Sequence, residues 1–80
     1  MKIEGIKIEQ KKLGREKLDG YTFKEKIVLD SRLKPRKHFE IIIHEMLHNI
    51  YPDMSETKIK TSSRKLARFL WKYGYRRFDL

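Results

Sequence analysis

The chain has 80 residues, carries 20 Lys and Arg against 11 Asp and Glu for a formal net charge of +9, and contains no cysteine. A single domain is expected, near the lower size limit at which one hydrophobic core sustains a fold; disulfides, thiolate metal clusters and cysteine nucleophiles are excluded. No apolar run approaches the roughly 18 residues of a membrane span, and the opening MKIEGIKIEQ is unlike a secretory apolar region, which predicts a soluble, cytoplasmic protein with no membrane partner.

A first strand is expected over about residues 2–12, where Ile3, Ile6 and Ile8 nearly alternate with charged side chains. Gly14 and the Asp19-Gly20 pair then mark a polar connection with a turn signal. The run KEKIVLD, residues 24–30, is β-branched enough for a second strand, paired antiparallel with the first.

Pro35 suits the first turn of a helix, and Glu40 lies near enough to its start to complement the macrodipole. This helix should run about 36–51 and stop at Pro52. Asp53 or Ser55 can cap a second helix of about 55–73, with Glu56 in its first turn and Gly74 just beyond its end. The fold class is therefore α+β: a small antiparallel sheet of two to three strands packed on two helices.

In the second helix Ile59, Ser63, Leu66, Leu70 and Tyr73 fall at helical spacing and predict one buried stripe, flanked by Phe69 and Trp71. Its other face is basic. Between Thr57 and Arg77 stand Lys58, Lys60, Arg64, Lys65, Arg68, Lys72 and Arg76 with no acid among them, so weak, non-specific polyanion binding is expected at low salt.

The chemistry concentrates in HEMLH, His44 to His48. Residues four apart on a helix stand one above the other, so the two imidazoles can grip one ion together. H-E-x-x-H is the spacing by which two histidines bind Zn²⁺ while the intervening Glu acts on the water that the metal activates. Glu45, about 100° round an ideal helix from His44, can act as general base without competing as a ligand. A catalytic zinc takes a third protein ligand. His38 lies six residues before His44 and faces elsewhere, whereas a short turn can return Asp53 or Glu56 to the metal, and Glu56 has the longer reach.

A strand ending IVLD, a helix carrying HEMLH, a reversal at YPDMSE and a long helix ending LARFLWKYGYR together resemble the minimal zincin-type metallopeptidases. These include the small gluzincin-like proteins of archaea and bacteria and similar phage-encoded ones. The resemblance covers roughly residues 25–77. It implies a Zn²⁺-dependent peptidase acting on a peptide or protein substrate, which an edge strand would bind in extended form. His44 and His48 match the metal ligands, Glu45 the general base and Glu56 the third ligand. Glu56 falls closer to the second His than in most gluzincins, and the metzincin continuation is absent, with Tyr51 and Met54 where its Gly and His would stand. Tyr51, Tyr73, Tyr75, Arg76 and Arg77 are the candidates for stabilising an oxyanion. Two other readings stand beside this one: a zinc-stabilised domain without catalysis, and a basic nucleic-acid-binding module.

Overall fold

A computed structural model of the chain describes residues 5–13, 19–23 and 25–76. Residues 2–4 of the expected first strand, Gly14 in the connection, Lys24 at the expected start of the second strand and Arg77 lie outside the described residues. Three strands and two helices follow in the order β1 (Lys7–Lys11), β2 (Gly20–Phe23), β3 (Lys26–Asp30), α1 (Pro35–Ile50) and α2 (Glu56–Lys72). The expected α+β arrangement of a small sheet and two packed helices is what forms.

The sheet itself is mixed, with strand order β1-β3-β2. The expected antiparallel pairing of the first strand with IVLD is replaced by a parallel one, Lys7 opposite Lys26 through Lys11 opposite Asp30. The cause is β2, which occupies the far edge and pairs antiparallel with β3, Phe23 opposite Lys26. A two-residue hairpin reverses the chain, so β3 returns in the direction of β1 and slots between the two edge strands.

Gly20 opens β2 where the sequence suggested a turn. A Cβ at this position would stand 2.8 Å from the Val28 carbonyl oxygen and 3.1 Å from Ile41 Cγ2. The glycine therefore lets a strand pass close beneath a helix, a steric use rather than a turn. Ile27, Val28, Leu29 and Asp30 are all buried, as befits a central strand, whereas β1 is exposed along its length.

Pro35 begins α1, where its missing N–H costs nothing and its φ is already helical. Glu40 lies beyond the first turn and pairs with Lys37 at 3.3 Å instead of facing the helix terminus. Ile41 joins Ile27 and Leu29 in the core, with Ile42, Met46 and Leu33 packed against them. The opposite side of α1 receives α2, so α1 is the middle layer between sheet and second helix.

The buried row of α2 is Ile59, Ser63 and Ala67, followed by half-buried Trp71 against Phe39. Leu66 and Tyr73 of the expected stripe are instead 45% and 70% exposed, and Leu70 is half-buried. Helices pack along inclined i+4 ridges, and the small Ser63 and Ala67 let the two helices approach closely. Ser63 Oγ donates to the Lys60 carbonyl at 3.1 Å, which satisfies this buried hydroxyl. The helix ends in a Schellman motif: Gly74 at φ 94° and Tyr75 donate to the Trp71 and Leu70 carbonyls.

Asp30 closes β3 and fixes the entry to α1. It is buried, and it accepts from the Arg32 backbone N–H at 3.0 Å and from Arg32 Nε and Nη2 at 3.2 and 3.0 Å. Hydrogen bonding to the Arg32 side chain, then to its backbone, holds the Asp30 carboxyl below the ordinary aspartate range. Because the folded pKa is depressed, the unfolded chain takes up the proton first; the stabilisation is present above about pH 3.9 and is lost as pH falls through the folded value. Asp30→Asn should therefore lower the melting temperature at neutral pH and flatten its fall below about pH 4, measured by thermal melts across that range.

Candidate metal centre

The turn between the helices brings His44, His48 and Glu56 together. Tyr51 ends α1 with its N–H on the Leu47 carbonyl, Pro52 prevents continuation, and Met54 N–H closes the reversal on the Tyr51 carbonyl at 3.0 Å. Ser55 caps α2 by accepting from the Lys58 N–H at 3.2 Å. Asp53, the other candidate cap, is exposed in the turn and takes no part. Glu56 thus becomes the first residue of α2, facing back toward the last turns of α1.

His44 Nε2 lies 2.9 Å from Glu56 Oε1, His48 Nε2 lies 2.8 Å from Glu56 Oε2, and the two Nε2 atoms are 3.2 Å apart. Four-coordinate binding at about 2.0–2.2 Å requires ligand atoms roughly 3.3 Å from one another. The two histidine nitrogens stand close to that spacing, each meets a different oxygen of Glu56, and the three groups together could hold a metal ion. Two imidazoles and a carboxylate form a donor set suited to zinc and other first-row divalent metals. Glu56 is largely exposed while the histidines are half-buried, so the group is reachable from solvent.

Glu45 is buried and points at the sheet. Thr22 Oγ1 on β2 donates to its Oε1 at 2.7 Å, and Asn49 Nδ2 donates to the Glu45 carbonyl at 2.9 Å and to Thr22 Oγ1 at 3.4 Å. The hydroxyl meets one of the carboxylate's hydrogen-bonding needs and fixes its orientation, offsetting part of the cost of burying it. Gly20, Tyr21 and Thr22 form one wall of a cleft of about 870 Å³. His44, Glu45 and His48 line it from α1, and Glu56, Lys60 and Arg64 from α2.

Of the residues singled out in the sequence, His44, Glu45, His48 and Glu56 meet in this cleft. His38 is buried and lines a separate groove with Phe39 and Trp71. The proposed oxyanion residues Tyr51, Tyr73, Tyr75 and Arg76 do not line the cleft; Arg76 stacks on Trp71 at 3.5 Å from the ring centre. Thr22, Lys60 and Arg64 were not expected there, nor was Asn49 as the partner of Thr22 and of the Glu45 carbonyl. Asn49, four residues after Glu45, carried a helical-spacing signal, whereas Thr22 had none because its strand was not anticipated.

Comparisons with protein-family models, with curated proteins and with solved structures return no match. The functional reading therefore rests on the geometry of the cleft.

Titration with zinc or cobalt should show that Glu56→Ala or His48→Ala weakens metal binding by tenfold or more, while Asp53→Ala leaves it unchanged. Retained affinity in Glu56→Ala with loss in Asp53→Ala would reverse the assignment.

Proposed function

We propose that the chain is a zinc-dependent peptidase in which His44, His48 and Glu56 hold the metal and Glu45 is the general base. The observation that carries this reading is the meeting, in one open cleft, of the His-His-Glu group, a fixed carboxylate and a sheet edge that is unpaired among the described residues. The chemistry that a zinc ion in this donor set supplies is polarisation of a carbonyl oxygen and activation of water near neutral pH.

Glu45 takes up a proton from the attacking water at its carboxylate and delivers it to the departing amine. Thr22 holds that carboxylate at 2.7 Å and is a positioning residue. The substrate backbone is bound by β2. Asp30 N–H donates to the Asp19 carbonyl at 2.8 Å, so by antiparallel alternation Tyr21–Val28 and Phe23–Lys26 are the hydrogen-bonded pairs. The N–H and C=O groups of Gly20 and Thr22 then project from the outer edge, where an extended peptide can add as a further strand.

A metal-stabilised domain without catalysis is the second reading, favoured by the way the ligand set bridges α1 and α2. Glu45→Gln separates the two. In the peptidase it should lower hydrolysis of a broad peptide library by about 10²–10⁴-fold, the usual weight of general-base catalysis, with metal affinity and melting temperature retained. Absence of hydrolysis in the zinc-loaded wild type would leave the stabilised domain. Thr22→Val should lower kcat by about tenfold with KM little changed, the pattern of an interaction tightened in the transition state.

A further inference from the structure

We infer that Lys60 and Arg64 form an anion-recognition row beside the metal centre, selecting extended peptides with acidic side chains at alternate positions. The inference rests on the peptidase reading and adds its substrate class.

The row follows from helix geometry. The i+4 row Ile59, Ser63, Ala67 is buried against α1; the neighbouring i+4 row begins at Glu56 and continues through Lys60 and Arg64, and all three line the same cleft. Four residues of helix rise about 6 Å. Lys60 and Arg64 therefore stand about 6 and 12 Å beyond Glu56 along the axis.

An extended peptide advances about 3.3–3.4 Å per residue and turns alternate side chains to the same face. Two residues of substrate span roughly the rise that separates one cation from the next. A chain leaving the metal centre along this row presents same-facing side chains near Lys60 about two residues from the scissile bond and near Arg64 about four residues away.

The charge state of the two side chains points the same way. Lys37, also in the cleft, is paired with Glu40 at 3.3 Å. Neither Lys60 nor Arg64 has an ion-pair partner among the described residues. Both are exposed and so cost nothing to leave unpaired, and they set two cationic side chains on the α2 wall of a cleft that Asp19, Glu40, Glu45 and Glu56 also line. A carboxylate entering between them meets two cations, and Arg64 can engage it with a planar fork. Neutral peptides gain nothing from this wall.

Binding to the zinc-loaded Glu45→Gln protein tests the inference without relying on turnover. Fluorescent peptides with Asp or Glu at alternate positions are compared with the same peptides carrying Asn or Gln. The acidic peptides should bind about tenfold or more tightly at low salt, with the difference shrinking toward 1 M salt as screening sets in. Lys60→Gln with Arg64→Gln should abolish the preference. Lys58→Gln with Lys65→Gln removes equal charge from residues outside the cleft lining and should leave the preference in place.

Equal affinity for acidic and amide peptides would overturn the inference, as would an equal loss in both double variants, which would reduce the effect to net charge. Displacement of the peptide by a single-stranded oligonucleotide at lower concentration, dependent on Lys60 and Arg64, would assign the row to nucleic acid and also overturn it. Turnover is scored separately. Acidic-peptide binding without hydrolysis by the wild type removes the peptidase reading and keeps the row; hydrolysis without acidic preference does the reverse.

Discussion

Helix α1 joins the two other layers: it packs on β2 and β3 on one side and on α2 on the other, and α2 makes no direct packing with the sheet among the described residues. Sixteen residues must therefore serve three neighbours at once. Ile41, Ile42 and Met46 serve the sheet, Phe39 meets Trp71 of α2, and His44, Glu45 and His48 are left for the cleft. Half of its residues are polar or charged, and two of its three buried residues, His38 and Glu45, are among them. Its polar residues are consequently placed where neighbouring elements can satisfy them, as Thr22 does for Glu45.

The same arrangement explains why the cleft is bounded by three elements that are distant in sequence. β2 is drawn under α1 by the absence of a side chain at Gly20, and α2 is drawn against it by the small surfaces of Ser63 and Ala67. Both approaches depend on atoms that are missing rather than on large apolar contacts. Close approach on the sheet side aligns Thr22 with Glu45, and close approach on the helix side brings Glu56 to the histidines. Packing and chemistry are thus set by the same few positions.

Much of this was legible in the sequence where the signal is local. Pro35, Pro52 and Gly74 punctuate the helices, and His44 and His48 stand at the one-turn spacing that lets two histidines share an ion, with Glu45 beside them. The turn after Tyr51 was short enough to make Glu56 reachable. What stayed hidden depends on distant partners. Asp19-Gly20 reads as a turn until Val28 and Ile41 are seen to crowd it. The direction of β1 follows from an unseen hairpin. Ser63 falls in the expected stripe, but the small Ala67 gives a weak hydrophobic signal beside the larger Leu66, which is exposed.

The parallel seating of β1 divides the chain into parts of unequal importance. Every residue lining the cleft lies between Asp19 and Arg64, within a β-hairpin and a helical hairpin, each closed by neighbours close in sequence. Pairing of β1 with β3 instead joins positions nineteen residues apart, Lys7 with Lys26, and loop-closure entropy rises with such separation. The two hairpins can assemble the cleft before β1 docks. Contributing no side chain to the cleft, β1 then serves to cap the otherwise open edge of β3, and the exposed face it presents can vary in sequence without disturbing the centre.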